Sequence, residues 1–411
     1  MFRIFHLSLL ASALLTLPAK AASADIEAVF AADTVEQRSA SLQAIEQASD
    51  SPEAQMALAT WQAFSTLERF GQTLHGHGFR TPTSVLMPLM RLPVPSNEGT
   101  PEIMTYAKWR ATLTDLVTGL DEAKSMLEAI DDDADFGIEV DLRRLRLDLD
   151  EDGILTEQES LAAILQALGQ PNRRRSTDNS DERTPPPVFR FDRADAYWLQ
   201  GYSNFLTANA RMWLAHDFQQ TFDASFGMFF PRSDAATDKT PPADPSFSVI
   251  MDTISFVHTI NWPVIEPETR GAVRDDLIEM IRLSRLNWEA ILAETDNDRE
   301  WLPGPQQPGR HPLTTIEVTE ETVAAWHEAL DLAEDLLTGK RLLSHMRYPD
   351  KGFNFERFFK EPTRFDLVLT LTGPAAEPYL GTGDLVDQKQ WREITRTFGR
   401  AGIAPYAIWF N

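Results

Sequence analysis

The residues best suited to chemistry form one short stretch of alternating acids. Asp148, Asp150 and Asp152 are separated by single residues, Gly153 follows them, and Glu159 is the twelfth residue of the stretch. Calcium is a hard cation that takes six to eight oxygen ligands at about 2.3–2.6 Å. Short carboxylates on alternate residues supply such oxygens as a chain curls around an ion, and glycine permits the sharp turn that this curling needs. The stretch therefore predicts an oxygen-lined site for a hard cation.

Residues 148–159 resemble the calcium-binding loop of the EF-hand superfamily and match its pattern at every defining position. The resemblance covers one helix–loop–helix hand of about 30 residues, and it implies that the ion is Ca²⁺. Transferred position by position, it implies the ligands Asp148, Asp150, Asp152, the backbone carbonyl of Ile154, Thr156 through a bridging water, and Glu159 through both carboxylate oxygens.

The flanks of the loop differ from each other. On the C-terminal side, Leu161, Ile164 and Leu165 share one face and predict a helix that ends near residue 168. On the N-terminal side, residues 141–147 alternate and are basic, which predicts a strand or a single helical turn instead of a helix. The sequence contains no second complete loop. Because a lone hand is less rigid than a pair, we expect weak calcium binding, with a Kd of about 10⁻⁵–10⁻³ M.

Two further acidic runs carry part of the same pattern. Asp296, Asn297 and Asp298 repeat the alternating oxygens, but Trp301 stands where the glycine should be and Gln307 where the twelfth-position acid should be. This run is either a second ion site or a polar turn at a helix end. The run of Asp131, Asp133 and Asp135 has Phe136 in the glycine position, and we interpret it as an acidic turn.

Histidines offer the other candidates. His75 and His77 are either two metal ligands or a helix terminus. His216 and Asp217, with Asp223 further along the chain, suggest either an acid–base pair or a transition-metal site; the alternative is a buried histidine at the end of an aromatic helix.

Catalytic residues are not identifiable from the sequence. It contains no Gly-x-Ser-x-Gly, His-Glu-x-x-His, phosphate-loop or dinucleotide-binding motif. It also lacks cysteine, which excludes thiol chemistry, disulfides and a lipid-modified cysteine. Paired carboxylates stay possible, because 62 Asp and Glu residues give too many pairs to choose among.

The N-terminal residues have the pattern of a secretory signal peptide. A basic start is followed by an apolar run from Ile4 to Leu17 and by small residues at Ala19 and Ala21. We expect cleavage after Ala21 and a periplasmic or secreted protein. No later segment is an uninterrupted apolar span, so we do not expect an integral membrane protein. A formal charge of −24 argues against nucleic-acid binding.

Apolar spacing predicts a mostly α, bundle-like fold with one EF-hand and minor short β elements. We divide the chain into a signal peptide (1–21), an N-terminal helical region (22–130), the EF-hand region (131–168), a linker (169–187) and a C-terminal helical domain (188–411). Thr34 and Ser51 are predicted helix caps, residues 138–142 a strand, and Tyr406–Phe410 a terminal strand.

The sequence thus predicts an exported calcium-binding protein in which the ion is structural or sensing. One alternative is a periplasmic enzyme of unknown reaction that calcium braces. It would have a cleft within residues 188–411, with polar side chains converging near His216, Asp217 and Asp296. A further alternative is a lanthanide-binding periplasmic protein, because trivalent lanthanides also favour acidic, oxygen-rich loops. The sequence does not identify a protein partner or a small-molecule ligand.

Overall fold

The computed structural model describes most of the chain. The described residues are 26–47, 50–81, 92–169, 188–232, 234, 245–295, 299–307, 317–361, 364–386, 388–398, 403, 406–407 and 410–411. The predicted signal peptide and, except for residue 169, the predicted linker lie outside these ranges. A search of the described helices finds none with the length and apolar character needed to cross a bilayer.

Helices dominate the described structure, as the apolar spacing predicts. They are α1 (Val35–Glu46), α2 (Pro52–Gly76), α3 (Tyr106–Glu128), α4 (Leu161–Gly169), α5 (Arg193–Leu214), α6 (Gln219–Ser225), α7 (Pro245–Thr259), α8 (Pro267–Ala293), α9 (Glu320–Leu337), α10 (Phe355–Lys360), α11 (Leu367–Thr372) and α12 (Gln388–Thr397). Short 3₁₀ turns lie at Glu157–Glu159, Phe226–Met228 and Glu377–Tyr379.

Side-chain caps explain where several helices begin. The side chains of Thr34 and Ser51 accept hydrogen bonds from the N–H groups of Gln37 and Ala54, as the sequence predicts. The side chain of Thr105 likewise accepts from the N–H of Lys108 at the start of α3. These bonds satisfy N–H groups that have no partner within the helix.

Strands are short and form three small sheets. They are β1 (Ile138–Asp141), β2 (Val188–Phe191), β3 (Asn261–Trp262), β4 (Arg341–His345), β5 (Tyr348–Phe353), β6 (Phe365–Asp366), β7 (Leu380–Gly381) and β8 (Asp384–Leu385). β1 pairs with β2 and β3 with β6, both antiparallel. The third sheet has the order β7-β5-β4-β8, in which β4 and β8 run parallel.

The core is built on long helices packed side by side in the order α2, α3, α5, α8. One hydrophobic cluster includes Trp109 from the N-terminal part and Trp288 from the C-terminal part. A polar link crosses the same helices, because Arg211 contacts Asp276 at 2.6 Å and Asp121 at 2.5 Å. A second, smaller cluster surrounds Tyr379 beneath the third sheet.

The C-terminal end corrects one prediction. We expected a strand over Tyr406–Phe410, but residues 406–407 are helical and residues 408–409 lie outside the described ranges. Tyr406 and Phe410 pack their rings together at 5.0 Å between centroids, and Phe410 also contacts Trp288. An apolar run this short is compatible with both structures, and packing decides between them.

Close packing of α2 on α3 gives a test of the fold. A Cβ atom on Gly119 would lie 2.3 Å from Oγ1 of Thr66, a buried and branched side chain with little freedom to move. We expect Gly119→Ala to destabilise the protein by about 1–3 kcal/mol. Gly271, inside α8, has nothing within 4 Å of the same position, so we expect Gly271→Ala to stabilise it by about 0.5–1 kcal/mol. Urea unfolding measures both, and the same sign for both variants would contradict the packing.

Candidate metal centre

The acidic loop 148–159 joins the turn after β1 to helix α4, and its two ends are tied together. Arg146 and Ser160 form an antiparallel bridge. The N–H of Leu147 donates to the carbonyl of Glu159 at 3.0 Å, and the N–H of Leu161 donates to the carbonyl of Leu145 at 2.8 Å. Of the segment 141–147, only Asp141 belongs to a strand, β1, and residues 142–144 form a turn closed by the bond from the N–H of Leu145 to the carbonyl of Asp141. The loop therefore has no entry helix, as the sequence predicts.

Three of the predicted ligands meet inside the loop. Asp148, Asp150 and Asp152 each offer a carboxylate oxygen within 4.8 Å of the others. The N–H of Asp152 donates to Asp150 at 3.3 Å, and the N–H of Ile154 donates to Asp152 at 2.7 Å, which curls the backbone. Gly153 has φ of 80°, in the left-handed region that favours glycine. These local bonds and the turn at Gly153 bring Asp150 and Asp152 towards Asp148.

Asp148 differs from the other two acids because it is buried, with 4 % of its surface exposed. Its N–H donates to Oε2 of Glu68 at 2.7 Å, and its carbonyl accepts from Gln72 at 2.8 Å. Among the described residues, its Oδ1 atom has no hydrogen-bond donor. Burial raises the pKa of Asp148, the N–H of Gly153 lowers it by a hydrogen bond to the carboxylate, and the charges of Asp150 and Asp152 raise it again. A buried carboxylate oxygen without a donor is costly, and a bound cation would offset that cost.

The other predicted ligands are placed differently. Glu159 is buried, and its Oε1 accepts the N–H of Leu149 at 2.8 Å. Its Oε2 accepts the N–H of Thr156 at 3.1 Å and the hydroxyl of Thr156 at 2.7 Å. In this arrangement Glu159 and Thr156 cap the turn before α4 and stand outside the aspartate group. Bidentate binding by Glu159 would require exchange of these donors for the ion.

A buried ion pair links the first two helices to the backbone just before the loop. Arg38 of α1 donates to Oε1 of Glu68 on α2 at 2.8 Å and to the carbonyl of Arg146 at 3.1 Å. Its guanidinium also lies over the ring of Trp61, 4.2 Å from the centroid. Burial raises the pKa of Glu68, while the Arg38 charge and the N–H of Asp148 lower it. Arg38 therefore connects two helices to the backbone at the start of the loop.

Sequence reasoning missed Arg38, Glu68 and Gln72. Glu68 and Gln72 precede the loop by 80 and 76 residues, respectively, and belong to no motif. Both helices carry other charged residues, so nothing in the sequence distinguishes Arg38 or Glu68 from them.

An extended segment pairs with the loop along its outer edge. The N–H of Val35 donates to the carbonyl of Gly153 at 3.3 Å, and the N–H of Leu155 donates to the carbonyl of Asp33 at 3.1 Å. Thr34 and Ile154 form the antiparallel bridge between these bonds. In the part of the chain that the structure describes, this segment occupies the edge of the loop, and no second complete hand is present.

The second acidic run lies partly outside the described ranges, which exclude Asp296, Asn297 and Asp298. The neighbouring Glu300 lies with Asp192 and Glu294 in a group whose carboxylate oxygens are within 4.8 Å of one another. Beside this group, burial and the charge of Asp192 raise the pKa of Asp195 well above its usual range. Trp301, in the glycine position of the pattern, is buried against Phe189.

The histidine candidates do not assemble into sites within the described residues. No histidine belongs to either group of potential metal ligands. Nδ1 of His77 lies 2.7 Å from the carbonyl of Thr73 at the end of α2. His216 is fully buried beside Trp262 and Phe365, whereas Asp217 accepts the hydroxyl of Tyr106 at 3.0 Å.

Comparison of the chain with protein-family models, with curated proteins and with solved structures gave no match.

His216 gives a prediction about pH. Its Nδ1 lies 2.7 Å from the carbonyl of Met212, and its buried Nε2 has no partner among the described residues. Burial, helped by the Arg270 charge, lowers the pKa of His216 to about 4 from 6.5. Between these pH values the unfolded chain binds a proton that the folded chain does not. Stability should therefore fall as pH decreases from 6.5 to 4, with a contribution from His216 of about 3 kcal/mol.

Urea unfolding at pH 7, 6, 5 and 4 checks this contribution. We expect His216→Gln to show a shallower loss of stability with falling pH than the unsubstituted protein. The exposed His258 provides the control, and His258→Gln should keep the original slope. Equal slopes for all three proteins would contradict a buried, neutral His216.

Proposed function

We propose that this chain is an exported calcium-binding protein that holds one Ca²⁺ ion in the loop 148–159, and that the ion stabilises the fold. The observation that most supports this proposal is the buried Asp148, whose Oδ1 has no donor and lies beside two further aspartates. An acidic turn in solvent needs no buried carboxylate. A loop that binds a cation gains from one, because burial strengthens the attraction between the ion and the charge.

The charge balance around the loop also favours a cation. Asp148 and Glu68 are buried next to each other, and Arg38 is the cation that pairs with Glu68. Asp150 and Asp152 add two further negative charges, because each has a carboxylate oxygen within 4.8 Å of one on Asp148. A divalent ion would reduce the repulsion among these acids and supply the missing partner of Asp148.

A structural role is favoured over a sensing role. Sensor hands respond by opening a pair of helices. Here the N-terminal side of the loop is β1 and a turn, and both ends of the loop are joined by the bridge between Arg146 and Ser160. The loop also contacts α2 through Glu68 and Gln72. An ion in this loop would strengthen contacts between elements that are already packed.

Export is proposed from the sequence alone. The basic start, the apolar run from Ile4 to Leu17 and the small residues at Ala19 and Ala21 are typical of a cleaved signal peptide. Weak binding suits such a location, because extracellular calcium modules work with a Kd of about 10⁻⁴–10⁻³ M.

Calcium-dependent stability tests the proposal directly. We expect a higher Tm in calcium than in chelator, since an ion that binds only the folded state stabilises it by about 2.7 kcal/mol at a hundredfold excess over Kd. Asp152→Asn keeps the acceptor for the N–H of Ile154 but removes a charge, so it should weaken calcium binding about tenfold, equivalent to about 1.4 kcal/mol. Asp133→Asn, in the acidic run outside the loop, is the matched control and should bind like the unsubstituted protein.

Calorimetric titration with calcium and with a lanthanide, side by side, distinguishes the two ions. Equal Tm values in calcium and chelator would remove the structural role. Equal calcium binding by the two asparagine variants would remove the loop as the site. Stronger stabilisation by the lanthanide at matched free concentrations would favour that ion instead.

The paired segment gives a second, local test. If the ion orders the loop, the hydrogen bonds from Val35 to Gly153 and from Leu155 to Asp33 should open less often. We expect calcium to slow hydrogen exchange of the Val35 and Leu155 amides by about tenfold or more. The Phe353 amide, in the distant third sheet, serves as the reference and should change less. Uniform slowing at all three amides would indicate global stabilisation without local ordering of the loop.

A further inference from the structure

A cleft of about 420 Å³ opens at the third sheet, far along the chain from the acidic loop. Its walls include three cations, Lys340, Lys351 and Arg357, and no Asp or Glu; Glu356 lies beside Gly339 at its edge and pairs with Lys360 at 2.8 Å. Asn354, Thr382 and Gly383 complete its polar lining. This volume lies within the range of small-molecule sites, about 300–1,000 Å³.

The cleft lies in a basic part of a strongly acidic protein. Residues 340–364 contain seven Lys or Arg residues and three Asp or Glu residues, whereas the whole chain has a formal charge of −24. The rest of the molecule is negative and repels anions, but a locally positive surface attracts them and raises their concentration there. The sign of the charge therefore favours an anionic ligand.

Backbone geometry brings the cations together. The register of β4 with β5 shifts between Ser344 and His345, so residues 349–351 bulge outwards from the pairing and Lys351 is exposed. β7 pairs with β5, and β8 pairs with β4, so the connection through Thr382 and Gly383 passes beside the cleft. Lys340 immediately precedes β4.

Arg357 is positioned from the opposite wall. Oδ1 of Asn354 accepts the N–H of Arg357 at 3.0 Å and so caps α10. The guanidinium of Arg357 donates to the carbonyl of Leu380 at 3.4 Å, which directs it towards β7. The three cations thus come from the start of β4, from β5 and from α10.

Nearby carboxylates only partly neutralise these cations. Lys340 lies 3.5 Å from Asp335, and Arg357 lies 4.0 Å from Glu361, the limit of an ion pair. Within the described residues, Lys351 has no carboxylate within 4.0 Å. The amide N–H groups of Thr382 and Gly383 donate no hydrogen bond to other described residues.

We propose that this cleft binds a phosphate-bearing anion. Phosphate offers several oxygens around one centre, so it can accept from three cations and from backbone N–H groups at once. A single carboxylate offers two oxygens and leaves part of this donor set unused. The shared chemistry is a phosphate group, either free in solution or in a lipid head group. This proposal is independent of calcium binding by the loop.

Calorimetry on the full chain tests the proposal, with chelator present so that calcium phosphate does not form. The soluble probe is inorganic phosphate. The lipid probe is a phosphatidylcholine vesicle containing phosphatidic acid, compared with phosphatidylcholine alone in a sedimentation assay. Lys351→Gln should weaken binding about three- to fivefold, and addition of Lys340→Gln should weaken it again by a similar factor. Binding should also weaken between about 0.02 and 0.3 M NaCl.

Lys108→Gln is the matched control, because Lys108 is exposed on α3 and outside the cleft. Thermal unfolding of each variant shows that it is folded. Weaker phosphate binding by the Lys351 variant but not by the Lys108 variant supports a free ligand. The same pattern with phosphatidic acid vesicles alone supports a lipid head group. Absence of binding to both probes, or equal weakening by Lys351→Gln and Lys108→Gln, would overturn the proposal.

Discussion

The burial of Asp148 beside Glu68 is the electrostatic constraint on which the candidate centre depends. Two acids share one buried region, where Arg38 binds Glu68 directly and only attracts Asp148 from further away. Removing charges from water is costly unless each is paired. Glu68 meets this condition through Arg38 and the N–H of Asp148, whereas Oδ1 of Asp148 has no donor among the described residues. The carboxylates of Asp150 and Asp152 lie close to that of Asp148. One divalent ion could therefore bind all three aspartates and supply the partner that Oδ1 of Asp148 lacks.

This constraint reaches beyond the loop because the same residues connect several elements. Arg38 lies on α1, Glu68 lies on α2, and the loop is followed by α4. The strand before the loop, β1, pairs with β2, which follows the predicted linker. The loop is therefore attached both to the N-terminal helices and, through β1 and β2, to the start of the C-terminal part. An ion that orders the loop would therefore also stabilise elements on both sides of the predicted linker.

Local signals were readable from the sequence, and distant pairings were not. Thr34 and Ser51 cap helices as predicted, since a cap needs only residues within one turn. The grouping of three aspartates follows from their alternation and from the turn at Gly153. The support from Glu68 and the segment Asp33–Val35 depends on contacts between residues about 80 to 120 positions apart, which no spacing rule contains. The third sheet was missed because its outer strands are two residues long and because β5 contains Pro, Asp, Lys and Gly, which are depleted in strands. The strand expected at Tyr406–Phe410 was wrong because tertiary packing determines the structure of so short an apolar run.

The distribution of charge explains how a protein this acidic could carry two sites of opposite preference. In the loop, three aspartates lie together, and the buried Oδ1 of Asp148 has no donor among the described residues. Both features favour a cation. At the third sheet, lysines and arginine outnumber acids locally, which favours an anion despite the overall charge of −24. Screening limits interactions between exposed charges to about 10 Å at 0.1 M salt. The exposed cations of the cleft therefore act mainly on nearby ligands, while at the loop the decisive charge, Asp148, is buried beside Glu68 and is set by its own contacts. The net charge of the chain predicts neither site.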